Sequence, residues 1–218
     1  MSIKSKIVLR ISVFALLFAG VPVRAAIGAD DLLKNVKERY SRLKNFEVRY
    51  EKSFKSEVFD ESDPIKGRIY WQEPNQFRVE SDEETIVSDG KAIWTYAKDS
   101  RQVTKRILKA GQKPDILSFL DKADSSHTAS TGTADSIDQT VCRRLVLSPR
   151  IKGTDFEELV VWVDEKNLLI KKLEILDLQQ NRTIFSFSNY RLESKLNQNL
   201  FEFQLPSGAE LIDLSGNP

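Results

Sequence analysis

Two features of the sequence predict a mainly β protein of the α+β class, in which a single strongly curved antiparallel sheet forms a half-open barrel under a lid of short helices. First, apolar and polar residues alternate with a period of two over many short segments, which is typical of half-buried strands. Second, turn residues separate these segments at short intervals, which favours antiparallel neighbours over strand–helix–strand units. A sheet of about ten strands usually curls or closes.

The first predicted element of the folded domain is an amphipathic helix over Asp30–Leu43. Asp30 or Asp31 can cap its N-terminus, and its apolar residues recur near the helical period at Leu32, Leu33, Val36, Tyr40 and Leu43. The period changes to two from Phe46 onward, so the chain is expected to pass directly from this helix into the sheet.

The alternating segments then predict the strands of the sheet. Asp89 and Gly90 predict a hairpin because both residues tolerate positive φ, and Asn197–Leu205 is expected to be irregular and anchored by Leu200, Phe201 and Phe203. The predicted strands are Phe46–Phe54, Ile65–Trp71, Gln76–Ser81, Glu84–Ser88, Ala92–Ala97, Arg101–Ile107, Gln139–Ser148, Phe156–Val163, Leu168–Leu178, Arg182–Leu192 and Ala209–Leu214.

Two segments interrupt the alternation. The first, Pro114–Leu120, predicts a short helix that is apolar around most of its circumference, as suits a lid over an apolar ligand, through Ile116, Leu117, Phe119 and Leu120. The second, Asp124–Asp138, is rich in Ser, Thr, Ala and Gly and predicts a mobile loop. His127 lies in this segment and is therefore expected in solvent.

Composition excludes several classes of function. The chain has 33 basic and 32 acidic residues, so it is not a basic nucleic-acid binder. One Cys and one His exclude a disulfide framework and a multi-histidine metal site. No phosphate-binding loop, metalloprotease motif or nucleophile elbow is present. We therefore expect no enzyme, no catalytic residues, no metal and no cofactor. An exported hydrolase that uses carboxylates is a weak alternative, because the acidic residues alternate with basic ones along strand faces.

The first 25 residues have the pattern of a secretory signal peptide. Lys4, Lys6 and Arg10 precede an apolar run, Ile11–Ala19, which is too short to span a membrane. Val23 and Ala25 occupy the −3 and −1 positions of a cleavage site after Ala25, where small residues are preferred. We expect residues 1–25 to be the signal peptide and 26–218 to be one soluble domain.

Large apolar side chains crowd the positions that the alternation assigns to the interior. The ordinary interpretation is a filled core. The alternative is a lipid-binding cavity, because a few short helices cannot completely fill the concave face of one curved sheet. The candidate lipid-binding residues are Phe46, Val48, Tyr50, Phe54, Ile69, Trp71, Phe77, Val79 and Trp94, with Ile116, Leu117, Phe119 and Leu120 in the lid.

Four motifs, in order, resemble the LolA-type family of periplasmic outer-membrane lipoprotein carriers. The most specific is the hairpin segment Ile86–Tyr96, which contains Val87-Ser88-Asp89-Gly90-Lys91 followed by Trp94 and Tyr96. Gly67–Arg78 precedes it, Gln102-Val103-Thr104 follows it, and Leu200–Gly208 resembles the end of the family sequence. The resemblance covers essentially the whole chain after the signal segment.

This resemblance implies a half-barrel that acts as a periplasmic chaperone. Such a carrier accepts acylated lipoproteins from an inner-membrane ABC transporter and delivers them to an outer-membrane receptor, and we expect it to act as a monomer. The resemblance also implies that Phe77 contacts cargo or transporter. The alternative is a related barrel that binds another lipid or senses envelope stress.

One position departs from the family pattern. The family has an arginine that holds the lid closed where this chain has Glu73, and an ionised carboxylate cannot donate hydrogen bonds. Lid closure must therefore use other contacts. We hypothesise that Ile116–Leu120 and the Asp30–Leu43 helix occupy the cavity mouth when it is empty and move aside for cargo.

Overall fold

The computed structural model describes residues 27–56, 63–108, 127–150 and 156–216. These residues form one α-helix, α1 (Ala29–Ser41), one 3₁₀ helix, η1 (Gln198–Phe201), and a sheet. The strands of the sheet are β1 (Asn45–Lys55), β2 (Ile65–Gln72), β3 (Gln76–Ser81), β4 (Glu84–Asp89), β5 (Ala92–Ala97), β6 (Gln102–Ile107), β7 (His127–Ile137), β8 (Thr140–Pro149), β9 (Glu158–Asp164), β10 (Leu169–Leu176), β11 (Arg182–Leu192) and β12 (Glu210–Asp213).

The described strands make one large, open and curled sheet of twelve strands in the order β12-β6-β5-β4-β3-β2-β1-β11-β10-β9-β8-β7. Strands that follow one another in the chain pair antiparallel within β1–β6 and within β7–β11, and the two series meet where β1 pairs with β11. The mainly β, curled-sheet prediction is confirmed, and the predicted strands agree with the observed ones to within two residues at each end.

The sheet is not antiparallel throughout, because β12 pairs with β6 in parallel. After β11, η1 packs on β3 and β4, and the chain then continues to the edge of β6, where it forms β12. It arrives there running in the same direction as β6. The predicted antiparallel sheet is therefore confirmed except at this edge, where a short crossing segment replaces a hairpin.

Helix α1 confirms the predicted helix but not its predicted cap. The N-cap residue is Gly28, which makes no side-chain capping bond. Asp30 and Asp31 instead lie in the first turn, where a carboxylate interacts favourably with the helix dipole. Leu32, Val36 and Tyr40 are buried against the sheet, and α1 packs on β7 and β8. No helix in the described part of the chain is both long and apolar enough to cross a membrane.

The mobile loop predicted over Asp124–Asp138 is wrong from residue 127 onward, because His127–Ile137 is strand β7. Its small polar residues suit an edge strand whose exposed side chains need no apolar partners, and β8 pairs with it along most of its length. His127 is not in solvent either. It is 7% exposed and stacks on Phe156 with ring centroids 5.3 Å apart.

Candidate functional site

Most of the predicted lipid-binding residues meet on β1–β3, on the face of the sheet that carries the main apolar cluster; we call this face, which continues over β8–β11, the core face. The strand register places Phe46 beside Trp71 and Phe77, and Val48 beside Ile69 and Val79. Side chains that are direct cross-strand neighbours point to the same side of a sheet. The members of this group expose at most 8% of their surface and share one apolar cluster: Phe46, Val48, Tyr50, Ile69, Trp71, Phe77 and Val79.

The other half of the core face was not predicted as part of the site. It is formed by β8–β11, whose inward side chains join the same cluster. The signal present in the sequence was apolar content, since β9 (Glu158–Asp164) is a nearly continuous apolar run that is buried on both faces and so does not show which side chains point inward. The missed residues include Leu145, Leu147, Leu159, Val161, Val163, Leu169, Ile170, Leu173, Phe185 and Phe187.

Two close contacts order the aromatic residues of the core face. Phe46 and Trp71 stack with ring centroids 5.6 Å apart. The Tyr50 ring lies over Gly67, where an added Cβ would be 2.6 Å from that ring and 2.3 Å from the Glu80 carbonyl oxygen. Gly67 is therefore required for the Tyr50 ring to lie flat against β2.

Helix α1 completes the apolar cluster. Leu32, Val36 and Tyr40 from the helix, with Leu43 just after it, pack into the same cluster as the core face. The Tyr40 ring meets Phe46 edge-on at 6.1 Å. The helix therefore covers apolar side chains that would otherwise face the concave side of the sheet.

Hydrogen bonds between Tyr40, Tyr190 and the backbone of Ile170 also join α1 to the sheet; we call these the tyrosine triangle. The Ile170 amide nitrogen is 3.2 Å from the Tyr40 hydroxyl, the two hydroxyls are 3.1 Å apart, and the Tyr190 hydroxyl is 2.8 Å from the Ile170 carbonyl oxygen. Burial raises the pKa of Tyr40, and raises the pKa of Tyr190 well above its usual value. Both hydroxyls are therefore neutral at physiological pH.

Trp94 does not lie on the core face with the other predicted residues. In the hairpin register Ile93 opposes Ser88, while Trp94 opposes Val87 and so points to the opposite side, the outer face. There the Trp94 ring stacks on Phe203 at 5.8 Å and 8°. The prediction is wrong here because the pairing of β4 with β5 turns Ile93, the smaller neighbour, toward the core.

The remaining predicted positions lie at the margin or outside the described chain. Phe54 is the next-to-last residue of β1 and is 40% exposed, so it is not an interior residue, because the strand ends there. Ile116, Leu117, Phe119 and Leu120 lie outside the described residues, as does the predicted signal peptide, residues 1–25.

Glu73 lies beside the C-terminal end of α1. It is exposed, its amide donates to the Lys44 carbonyl oxygen at 2.8 Å, and its peptide bond to Pro74 is cis. The backbone, and not the carboxylate, therefore makes its contact with the segment that follows the helix. In the part of the chain that the structure describes, no group of three His, Cys, Asp or Glu residues could hold a metal ion.

Comparison with known proteins identifies related sequences and a related fold. The family model described as "Outer membrane lipoprotein carrier protein LolA" matches residues 41–204. The outer-membrane lipoprotein carrier protein of Glaesserella parasuis is 25% identical over 184 residues, covering 83% of this chain and 85% of that one. That of Ralstonia nicotianae is 30% identical over 150 residues, covering 67% and 64%.

Among solved structures, the crystal structure of an uncharacterized conserved protein from Thermus thermophilus is similar to this chain with a TM-score of 0.57. The two are 12% identical, and the match covers 85% of this chain and 98% of the other. This likeness supports the fold and carries no information on function.

Proposed function

Because the chain belongs to the LolA family of outer-membrane lipoprotein carrier proteins, we propose that it binds the acyl chains of lipoproteins between α1 and the core face. The proposed setting is the periplasm, reached through the N-terminal signal segment. The proposed partners are acylated lipoproteins, an inner-membrane ABC transporter that releases them and an outer-membrane receptor that accepts them. The proposal assigns the protein binding and transport rather than catalysis.

The observation that carries the proposal is that, in the described part of the chain, one short helix packs by apolar contact into the broad apolar cluster of the sheet. Leu32, Val36 and Tyr40 of α1 are buried in the same apolar cluster as the core face, and these side chains belong to one amphipathic element. An acyl chain that displaced α1 would exchange one apolar contact for another. Opening would then cost far less than exposing the face to water.

The size of the hydrophobic term explains why a carrier is needed and why it must hold cargo incompletely. Three acyl chains contain on the order of 45 methylenes, whose transfer to water costs roughly 36 kcal/mol at about 0.8 kcal/mol each. Non-covalent affinity does not exceed about 20 kcal/mol. A helix that competes for the same face reduces the net affinity, which permits delivery.

The direct test is release of a lipoprotein from inner-membrane vesicles by the purified protein without its first 25 residues. We expect the protein to increase the amount of acylated lipoprotein in the soluble fraction. The amount of the unacylated form there should be the same with and without the protein. Equal behaviour of the acylated and unacylated forms would show that acyl chains are not what the protein binds.

A pair of neighbouring residues provides a matched control. Phe185 is a half-buried residue of the core face that stacks on Phe187, while Ile184 is half-buried on the outer face of the same strand. We expect Phe185→Glu to reduce release at least tenfold and Ile184→Glu to leave it near that of the parent protein. Circular dichroism checks that both variants are folded. If Phe185→Glu is unfolded, Phe185→Gln is used in its place. Equal release by the folded variants at 184 and 185 contradicts the proposed face.

Glu73 is the observation that favours a second candidate function. A related barrel that binds another lipid, or that senses envelope stress, need not keep the family's lid-holding arginine. Mass spectrometry of copurified lipid distinguishes the two. A bound lipid other than an acylated lipoprotein, together with no vesicle release, would favour the second function.

A further inference from the structure

The starting observation is a gap in the backbone ladder between β10 and β11. Their pairing ends at Lys172 and Ser186, so Ile170 has no partner in β11. On its other side Ile170 still pairs with Val163 of β9, and the register shifts by one residue just after it. The amide and carbonyl of Ile170 that would continue the ladder toward β11 instead meet the tyrosine triangle.

The chemistry of the three groups fixes the direction of each hydrogen bond. A backbone amide only donates, so the Ile170 N–H donates to the Tyr40 oxygen. A carbonyl only accepts, so the Tyr190 hydroxyl donates to the Ile170 oxygen. The Tyr40 hydroxyl proton is then directed at the Tyr190 oxygen. Every donor in the triangle has an acceptor, and both backbone groups of Ile170 have partners.

We infer that Tyr40 and Tyr190 are positioning residues that hold α1 closed on the core face and set how readily acyl chains enter beneath it. This inference rests on the proposed function. When α1 lifts, Tyr40 leaves with it, and the Ile170 amide loses its acceptor at a place where β11 does not supply one. The triangle therefore makes the closed position of α1 more favourable than its apolar contacts alone would.

The location of the triangle also determines how α1 opens. Tyr40 is in the last turn of the helix, and the segment that follows is attached to the sheet because the Lys44 amide donates to Glu193 and the Glu73 amide to Lys44. The N-terminal half has no side-chain cap, and Leu32 and Val36 hold it by apolar contact. The N-terminal half lifts first, and release of Tyr40 completes the opening.

Amide hydrogen exchange followed by mass spectrometry tests the inference without any ligand. A helix of this length is unstable in water when detached, so its amides exchange when it leaves the sheet. Loss of one hydrogen bond changes such an equilibrium about fivefold. We expect Tyr190→Phe and Tyr40→Phe each to speed exchange in α1 about fivefold or more, with strands β1–β3 unchanged. Tyr96→Phe, on the outer face, is the matched control and should change neither.

The two possible failures have different signatures. Unchanged exchange in α1, or acceleration spread equally over α1 and the sheet, would overturn the inference, since the second result indicates a purely structural role. Titration with a fluorescent long-chain fatty acid adds a functional readout, and we expect about fivefold tighter binding by Tyr190→Phe than by the parent protein. If the parent protein binds no fatty acid and releases no lipoprotein, the proposed function fails, and the exchange experiment still decides whether the triangle holds α1.

Discussion

The two faces of the sheet are covered by different kinds of segment. On the core face, α1 contributes apolar side chains and the tyrosine triangle. On the outer face, the C-terminal strap (residues 197–214) contributes η1, Phe203 and β12. Phe201 is 1% exposed, Phe203 stacks on Trp94, and β12 extends the sheet at β6 through backbone hydrogen bonds.

This difference indicates which cover can be exchanged. Hydrocarbon can replace the apolar contacts of α1 because both occupy the same kind of surface. Hydrocarbon cannot replace the backbone bonds of the strap, such as the one from the Leu214 amide to the Lys105 carbonyl oxygen, and their loss would leave polar groups unpaired. Under the proposed function, we therefore expect the strap to stay in place and the core face to be the one that opens to a ligand.

The largest expected effect is the loss of stability when the anchor of the C-terminal strap is removed. Phe201→Ala removes the buried anchor of the strap and should lower the free energy of unfolding by about 3–5 kcal/mol, as cavity formation at a buried Phe does. Urea denaturation measures this. Leu205→Ala, in the same strap but 51% exposed, is the control and should change stability by less than about 0.5 kcal/mol. Similar values for the two variants would show that the strap is not anchored through Phe201.

The next effect concerns the exchangeable cover. Leu32→Ala removes a fully buried side chain of α1 and should cost about 2–3 kcal/mol in the ligand-free protein. The cost should shrink when a saturating long-chain fatty acid is present, because α1 then no longer packs on the core face. Thermal unfolding with and without the fatty acid measures both values. An equal cost in the two conditions would argue that α1 stays in place when ligand binds.

A smaller effect sharpens the description of the strap. The stack between Trp94 and Phe203 should contribute a coupling energy of about 0.5–1.5 kcal/mol. A double-mutant cycle with Trp94→Ala and Phe203→Ala measures it by urea denaturation. Strictly additive single effects would mean that the two rings are adjacent without interacting.

The smallest effect concerns the ionic attachment at the edge of the strap. Hydrogen bonds from Ser215, and then from Lys105, lower the pKa of Asp213 to about 2. The folded state therefore favours the carboxylate, and the stabilisation is fully present above the ordinary pKa and is lost as the pH falls through about 2. Carbon-detected NMR titration of Asp213, with Asp213→Asn to assign the signal, should give a midpoint near 2. A midpoint near 3.8 would mean that these hydrogen bonds do not persist in solution.

The class of the fold and the β1–β3 half of the core face follow from the local sequence pattern alone. The period of two located the strands, and it placed Phe46, Val48 and Tyr50 on one side of β1, because side-chain direction along a strand is a local property. The period of 3.6 likewise located α1 and its buried side. Polar edge strand β7 escaped this reasoning, since an edge strand needs no apolar alternation.

The contacts between distant segments depend on the tertiary structure. The β4–β5 register turned Trp94 to the outer face, where the C-terminal strap supplies Phe203. The tyrosine triangle joins residues 40, 170 and 190, whose proximity follows from the pairing of β1 with β11 and from the end of the β10–β11 ladder. Local periodicity reports which way a side chain points, whereas the partner that it meets depends on how strands far apart in the chain pair.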